Sequence, residues 1–209
     1  MGGARAGEPA GPGEEVGASV DHLAAVAGRV VALLDGDRRP VLLCLDGRSG
    51  SGKTTLARRL ARRLREDGAT VTVLHLDSVY PGWDGFAEAS RLVGEEVLPR
   101  LREGGEAAYR AWSWVRDRPG PEVRVRPADV VLVEGVGSGS RACRLAADLV
   151  VWLEAPADVR HGRAMDRDGD SYAPHWHRWA EQEEAYVEAE DPVAGPDLVL
   201  VTAAVPGGP

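Results

Sequence analysis

A phosphate-binding loop constrains the fold of this chain more than any other feature. Residues 47–54 read Gly-Arg-Ser-Gly-Ser-Gly-Lys-Thr, which fits the pattern G-x-x-x-x-G-K-[ST]. Lys53 is the one lysine of the sequence, and the rest of the 25 Lys and Arg residues are arginines. This exception indicates a position that needs a compact ammonium group rather than a planar guanidinium, as a pocket for nucleotide β- and γ-phosphates does.

The residues on either side supply the context that this motif needs. Residues 41–45 form a short apolar run typical of a buried strand, and residues 53–67 carry Leu56, Leu60 and Leu64 on one helix face. In such a strand–loop–helix unit, backbone N–H groups and the start of the helix hold phosphates. The alternative is a glycine-rich turn at the surface. The residues expected to hold the nucleotide are Gly47, Ser49, Gly50, Ser51, Gly52, Lys53, Thr54 and Thr55.

Length and charge exclude several classes of protein. At 209 residues, one α/β domain is expected, and it is long enough to bury a core. The net charge of −8 argues against a nucleic-acid footprint, and no apolar run approaches the roughly 20 residues that a membrane helix needs. We see no signal peptide. Cys44 and Cys143 lie far apart in apolar or helical contexts, so we expect a reduced, cytoplasmic protein without a membrane or nucleic-acid partner.

Strands and helices alternate along the chain, which predicts a parallel sheet covered by helices on both faces. Residues 1–18 are rich in Gly, Pro, Ala and Glu and are expected to form a disordered tail, followed by one domain at residues 19–205. Residues 107–126 are interrupted by prolines and are interpreted as irregular or short β structure. Residues 171–190 are predicted to form one long helix. Strands are predicted at 41–45, 71–76, 130–133, 149–153 and 198–201.

An apolar strand at residues 130–133 delivers Glu134 to its carboxyl end. Ligands of α/β proteins gather at this end of parallel strands, and a carboxylate there suits Mg²⁺ beside a phosphate-binding loop. Alone, the segment would be an ordinary strand that ends in a solvated glutamate. Together with the loop, it predicts Thr54 and Glu134 as ligands of Mg²⁺.

A second carboxylate, Asp77, follows the strand predicted at residues 71–76. At this edge of the sheet it is placed to accept the proton of an attacking hydroxyl group, which is the role of the base in kinase chemistry. The alternative is a turn formed by the Asp77-Ser78 pair.

These motifs together resemble the uridine kinase family of P-loop nucleoside kinases. The family carries the phosphate-binding loop, then Asp-Ser-Phe-Tyr, then a Glu-Gly pair, which here read Asp77-Ser78-Val79-Tyr80 and Glu134-Gly135. Its lid helix, Asp-x-Arg-x-x-Arg-Arg-x-x-Arg-Asp, matches residues 158–168. The residues in register are Asp158, Arg160, Arg163, Arg167 and Asp168. The resemblance covers about residues 41–201.

The resemblance implies a P-loop NTPase fold, a three-layer α/β sandwich with a five-stranded parallel sheet and an arginine-rich helical lid at about residues 157–175. It implies ATP and Mg²⁺, and transfer of the γ-phosphoryl group to a hydroxyl of a small molecule, foremost the 5′-hydroxyl of a uridine-like or cytidine-like nucleoside. Asp77 would be the base, and Lys53, Arg160, Arg163 and Arg167 would contact the phosphates. From the residues alone, the three lid arginines share a helix face, which could clamp the transferring phosphoryl group, but a solvated basic stripe is the interpretation that the residues favour without the resemblance.

Residues 109–118 depart from the family, whose corresponding segment contacts the nucleoside. Trp112 stands where the family has Tyr, Ser113 stands where it has Asp, and the family's His is missing. Loss of buried polar groups alters specificity sharply. Trp112 and Trp114 are expected on one strand face, where they either stack on a flat substrate or fill a core. The predicted substrate-binding residues are Tyr80, Trp83, Asp84, Trp112 and Arg116.

Two further segments allow alternative interpretations. The turn at residues 81–86 places Trp83 and Asp84 beside Asp77, either as a substrate wall with Asp84 on sugar hydroxyls or as a turn stapled to the next helix. The acidic residues after position 180 are interpreted as a solvated face. The aromatic residues that follow the lid are interpreted mostly as core, and they are Tyr172, Trp176, Trp179 and Tyr186. The acidic set is Glu181, Glu183, Glu184, Glu188 and Glu190.

Three functions therefore stay open at the level of sequence. The first is a nucleoside kinase. The second is the same machinery acting on another alcohol, such as a pantothenate-like compound, a sugar or an antibiotic, which the altered segment at residues 112–118 favours. The third is a switch that binds ATP without efficient transfer, which would need no base facing an alcohol pocket. Members of the resembled family often assemble, so a homo-oligomer is also compatible with the sequence.

Overall fold

The computed structural model describes residues 14–16 and 21–202. In these residues, a parallel sheet lies between two layers of helices. Within these ranges, the main sheet has the strand order β1-β8-β7-β2-β6-β3, and β4 and β5 form a separate antiparallel pair. The strands are β1 (Glu14–Val16), β2 (Val41–Asp46), β3 (Val71–His75), β4 (Ala107–Ser113), β5 (Arg118–Val125), β6 (Val130–Glu134), β7 (Leu149–Glu154) and β8 (Leu198–Val201).

Helices cover both faces of this sheet. The helices in the described ranges are α1 (His22–Asp35), α2 (Lys53–Glu66), α3 (Phe86–Leu92), α4 (Leu98–Arg102), α5 (Arg141–Ala146), α6 (Ala157–Asp168) and α7 (Trp176–Glu190). A π-helical turn, Val93–Val97, joins α3 to α4, so residues 86–102 form one nearly continuous helix. No helix in the described part of the chain is long and apolar enough to cross a membrane.

Strand β2 lies at the centre of the sheet and carries the phosphate-binding loop at its end. It pairs in parallel with β6 on one side and β7 on the other, and all its residues are buried. Leu43 and Leu45 pack with the leucines of α2, whereas Leu42 and Cys44 pack in the core on the opposite face. This burial on both faces explains the continuous apolar run in the sequence, because a strand with one solvated face would alternate.

The predicted five-stranded parallel core is confirmed by strands β2, β3, β6, β7 and β8. The sheet also has an edge strand that the sequence analysis did not anticipate. Glu14–Val16, inside the segment expected to be a disordered tail, pairs in parallel with β8. The rest of that predicted tail lies outside the described residues.

Two other expectations are corrected by the structure. Residues 107–126, predicted as irregular or short β structure, contain a regular antiparallel hairpin in which β4 pairs with β5, with one register shift near Arg110. The long helix predicted at residues 171–190 begins only at Trp176, and two short 3-10 turns precede it. Pro174 lies in the second turn and lacks the N–H group that a continuous helix would need there.

A buried carboxylate ties β2 to the surrounding loops. Asp148, whose side chain is 5% exposed, accepts hydrogen bonds from the Leu42 backbone N–H at 2.8 Å and from Arg102 at 2.6 Å. Arg38 adds an ion pair at 2.6 Å. The Asp148 carboxylate therefore satisfies a strand N–H and two guanidinium groups at once.

We expect Asp148→Ala to lower the free energy of unfolding by about 3 kcal/mol, because it leaves the Leu42 N–H without its side-chain acceptor and removes the carboxylate that balances the charge of Arg102. Urea unfolding followed by circular dichroism measures this change. Glu66→Ala, which removes a carboxylate that forms only a surface pair with Arg62 at 3.7 Å, is the control and should change stability by less than about 0.5 kcal/mol. Equal effects of the two variants would contradict the role given to Asp148.

Candidate functional site

The phosphate-binding loop connects β2 to α2, as the motif predicted, and its backbone requires glycine at several positions. Gly50 has a φ of +79°, and a Cβ atom there would lie 2.1 Å from the carbonyl oxygen of Arg160. Gly47 has a φ of +141°, and its Cβ would lie 2.3 Å from the Leu153 carbonyl oxygen. Both contacts are with backbone that cannot rotate away, so the loop is packed tightly between β7 and α6.

Lys53 and Thr54 begin α2 at the end of this loop. The Lys53 side chain is buried, and its ammonium group donates a hydrogen bond of 3.0 Å to the Arg48 carbonyl oxygen across the loop. The Thr54 hydroxyl donates to the Glu134 carboxylate at 3.2 Å. The lysine, the hydroxyl and the carboxylate thus meet at the carboxyl edge of the sheet, where the sequence predicted them.

These oxygen atoms fit a hard divalent cation. Glu134 is 3% exposed, and its carboxylate receives the Thr54 hydroxyl and lies 2.5 Å from Nδ1 of His75. The hydrogen bond to Glu134 raises the pKa of His75. Mg²⁺ prefers one or two carboxylate or hydroxyl ligands together with phosphate oxygens, and Thr54 and Glu134 supply that donor set. They are the residues that would hold it.

Asp77 faces a cavity of about 630 Å³ that also reaches the phosphate-binding loop. Its side chain opens into the cavity, and desolvation by the neighbouring protein atoms, with the nearby charge of Glu134, raises the pKa of the carboxyl group. The charges of Lys53 and Arg167 act in the opposite direction. The cavity is lined by Ser49, Asp77, Tyr80, Trp83, Trp114, Asp117, Arg167, Asp168, Ser171, Tyr172, His175, Arg178 and Trp179.

Aromatic rings form much of the cavity wall. Trp83 stacks on His175 with ring centroids 4.2 Å apart and lies 4.8 Å from Trp114. The Trp114 indole N–H donates a hydrogen bond of 2.7 Å to the Asp77 carbonyl oxygen, so it fixes the backbone of the candidate base. Tyr80 is 1% exposed and donates its hydroxyl proton to the Val136 carbonyl oxygen, which leaves its ring as wall.

The three lid arginines lie on α6 but contact different groups. Arg160 is buried and donates to the carbonyl oxygens of Ala155 at 3.2 Å and Ser49 at 3.4 Å. Arg163 donates to the Gly50 carbonyl oxygen at 3.4 Å. Arg167 lines the cavity and forms two hydrogen bonds to Asp168. In this arrangement two of them contact the phosphate-binding loop and the third faces Asp77.

The structure does not bring every predicted substrate residue to the cavity. Asp84 pairs with Arg178 through two hydrogen bonds. Trp112 packs near Gly82, and Arg116 is exposed in the turn after β4; neither belongs to the described residues that line the cavity. Trp114 occupies the wall instead, because it lies beyond the end of β4 and does not share the strand face expected for it.

Sequence reasoning missed two buried carboxylates at the loop. Glu183, interpreted as part of a solvated acidic face, is 2% exposed and accepts the Ser49 backbone N–H at 2.8 Å. Asp46 is fully buried and accepts the Tyr186 hydroxyl at 2.6 Å. A signal was present for Glu183, because it lies four residues after Trp179 and three before Tyr186 and so shares their helix face.

The comparisons with known proteins agree with this geometry. Residues 43–188 match the profile of a family described as AAA domain. The chain is 27% identical over 194 residues to a uridine kinase from Leuconostoc citreum, in an alignment that covers 78% of this chain and 92% of the relative. The resemblance to uridine kinase-like P-loop proteins that the motifs indicated is therefore confirmed.

Solved structures show the same fold. A protein described as a possible uridine kinase from Bacillus stearothermophilus has a TM-score of 0.60 and 23% identity, with 84% of this chain and 99% of that chain covered. A D-glycerate 3-kinase from Cryptococcus neoformans has a TM-score of 0.54 and 13% identity, with 88% and 96% covered. The chain has the P-loop NTPase fold, with the five-stranded parallel sheet flanked by helices.

Two glycines test the packing of the loop against α6. We expect Gly50→Ala to destabilise the protein by about 2 kcal/mol or more, because the new methyl group meets the Arg160 backbone at a left-handed φ. Gly162→Ala, on α6 with no atom within 4 Å of its Cβ, should instead stabilise by about 0.5–1 kcal/mol. Thermal unfolding of both variants measures the difference. A stable Gly50→Ala protein would show that the loop is free to move away from α6.

Proposed function

We propose that this chain, which belongs to the AAA domain family of P-loop proteins, is a kinase that transfers the γ-phosphoryl group of ATP to a hydroxyl of a small molecule. The observation that carries the proposal is the cavity of about 630 Å³, which is lined both by Ser49 of the phosphate-binding loop and by Asp77. A carboxylate in an acceptor-sized cavity beside a phosphate site is what transfer to an alcohol needs. A switch that hydrolyses or merely binds ATP needs no such cavity.

The phosphate-binding loop holds the donor. Its backbone N–H groups and the start of α2 bind the phosphates of ATP, and Lys53 leaves its hydrogen bond to Arg48 to contact the phosphate oxygens. Thr54 and Glu134 hold Mg²⁺, which when bound supplies positive charge that offsets the charge of the phosphates. The tight packing of the loop keeps these donors in place before the nucleotide arrives, so little reorganisation is needed.

Asp77 orients the acceptor. Its carboxylate accepts the hydrogen bond of the attacking hydroxyl and takes its proton as the bond from that oxygen to the γ-phosphorus forms. The bond between the γ-phosphorus and the β–γ bridging oxygen breaks, and ADP leaves with the electron pair. The raised pKa of Asp77 makes it a stronger base than an exposed aspartate. Arg167, beside it on α6, offers its guanidinium to the transferring group, and the lid helix excludes water that would otherwise hydrolyse ATP.

The aromatic wall favours a flat acceptor. Trp83, Trp114 and Tyr172 present ring faces or edges to the cavity, and stacking on rings is the common way to hold a base. We therefore propose the 5′-hydroxyl of a nucleoside as the first candidate, with uridine or cytidine at the head of the list. The named activity of the uridine kinase relative supports the same choice.

A different alcohol is the second candidate. Among the described residues, Trp114 lines the cavity and Trp112 does not, while the family's polar residues in this segment are missing. A pocket that does not reproduce the polar contacts to a pyrimidine edge binds it poorly, so the specificity differs. The D-glycerate 3-kinase with the same fold illustrates that this scaffold also serves a small acid alcohol.

The test is Mg²⁺-dependent ADP formation from ATP with a panel of nucleosides, vitamins, sugars and antibiotics, with Lys53→Ala as the blank. We expect one class of alcohol to stimulate ADP release, and Asp77→Asn to lower kcat about 10²-fold or more while ATP still binds. Asp166→Asn, on the exposed face of α6, is the matched control and should keep full activity. Near-normal transfer by Asp77→Asn, or ATP binding without transfer to any alcohol, would contradict the proposal and favour the switch.

The pH dependence of kcat follows from the environment of Asp77. The carboxylate has to be ionised, and its raised pKa means that activity is lost, as the pH falls, at a higher pH than an exposed aspartate would give. Arg167 lowers this pKa, so Arg167→Gln should move the midpoint of the acid limb to still higher pH. The midpoint is the readout, because the height of the profile also reflects contact with phosphate. Arg62→Gln on the surface of α2 is the control, and an unmoved or lower midpoint for Arg167→Gln would contradict this assignment.

A further inference from the structure

Helix α7 presents one buried face to the site. Trp179, Glu183 and Tyr186 are 5%, 2% and 5% exposed, and their spacing of four and three residues puts them on the same side of the helix. Trp179 reaches the cavity wall, and Tyr186 donates its hydroxyl proton to Asp46 just before the phosphate-binding loop. Glu183 lies between them, opposite the loop itself.

The Glu183 side chain contacts the backbone of the phosphate-binding loop and not one of the loop's side chains. One carboxylate oxygen accepts the Ser49 N–H at 2.8 Å, and the other lies 3.9 Å from Nη1 of Arg160. The Arg160 side chain is itself 9% exposed and donates to the Ser49 carbonyl oxygen at 3.4 Å. The N–H and C=O groups of one loop residue are therefore bound by two opposite charges, one from α7 and one from α6.

A buried charge lowers the stability of a protein unless it is paired and hydrogen-bonded. Few other positions of the loop would therefore compensate the charges of Glu183 and Arg160. The Glu183 carboxylate keeps its compensation only while Ser49 and Arg160 stay in place. Gly50, the next residue of the loop, is in contact with the Arg160 backbone as well. Movement of the loop away from α6 would take the Ser49 N–H from Glu183 and the Ser49 carbonyl oxygen from Arg160, and so remove one hydrogen bond from each buried charge.

We propose that Glu183 and Arg160 are positioning residues that fix the phosphate-binding loop at Ser49, so that the affinity for nucleotide is set by α7 and α6 together. The proposal rests on the function proposed above only in taking ATP as the nucleotide. It assigns Arg160 a role that differs from direct contact with the transferring phosphoryl group. Arg167 is the lid arginine that faces the cavity and is left for that contact.

The two roles for Arg160 predict different double-mutant behaviour. If Arg160 and Glu183 act through the same loop, removing both side chains lowers the affinity for ADP no more than removing one of them. If Arg160 contacts the phosphates that ADP retains, independently of Glu183, the two losses of ADP affinity multiply. If Arg160 contacts only the transferring phosphoryl group, which ADP lacks, Arg160→Gln binds ADP as tightly as the parent. The dissociation constant of Mg²⁺–ADP from the protein separates these outcomes. It is measured by isothermal titration calorimetry on the full chain and requires no acceptor substrate.

We expect Glu183→Ala to weaken ADP binding about tenfold, in line with the loss of a hydrogen bond to a charged group. Glu183→Gln should recover part of this loss, because its amide oxygen still accepts the Ser49 N–H. Arg160→Gln should weaken binding by a similar factor, and Arg160→Gln combined with Glu183→Ala should be no weaker than the weaker single variant. Glu181→Gln, on the exposed side of α7, is the control and should bind ADP within about twofold of the parent.

Three results would overturn the proposal: ADP binding by Glu183→Ala within twofold of the parent, ADP binding by Arg160→Gln within twofold of the parent, or a roughly hundredfold loss of ADP affinity in the double variant. Unfolding midpoints are recorded for every variant. If Glu183→Ala does not fold, Glu183→Asp, which keeps the charge but shortens its reach, takes its place with the same expected loss and the same criterion. Failure of the parent to phosphorylate any alcohol would contradict the proposed function and leave the ADP result unaffected.

Discussion

The register of three parallel strands determines the site. Leu45 at the end of β2 pairs with Glu134 at the end of β6, and Glu134 pairs in turn with His75 at the end of β3. This places a carboxylate between the phosphate-binding loop and the segment that carries Asp77. Because successive side chains of a strand point to opposite faces, a slip of β6 by one residue would turn Glu134 away from Thr54. Every contact of the site described above presupposes this alignment.

Buried charges surround the loop, and each is compensated locally. Asp46 accepts N–H groups from Gly47, Gly137 and Gly139 as well as the Tyr186 hydroxyl. Burial raises the pKa of Asp46 even though these hydrogen bonds act against it. The carboxylate thereby joins the loop after β2 to the loop after β6. The two glycine-rich segments at the edge of the sheet are held together by an internal anion, whatever ligand binds outside.

The sequence predicted those parts of the fold that local pattern determines. The phosphate-binding loop, the five core strands and the positions of Thr54, Glu134 and Asp77 follow from apolar runs that end in glycine or a carboxylate. The role of Glu183 did not follow, because its place on the helix face of Trp179 and Tyr186 indicates burial but not which group it contacts. Its distance of 134 residues from Ser49 along the chain means that only the packing of α7 against the loop reveals it. Trp114 was misplaced for a related reason, since the end of β4 depends on pairing with β5.

Lys53 has a chemical consequence of its own. The Lys53 residue is 7% exposed, and its ammonium group donates a hydrogen bond to the Arg48 carbonyl oxygen. Apart from the histidines, every other basic side chain of the sequence is an arginine. Guanidinium groups do not undergo the acylation that lysine amines do. Any reagent or enzyme that acylates lysine side chains therefore finds one lysine in this sequence, and that lysine lies within the loop where the nucleotide would sit. Acylation of the lysine would report occupancy of the loop directly, with no background from other lysines.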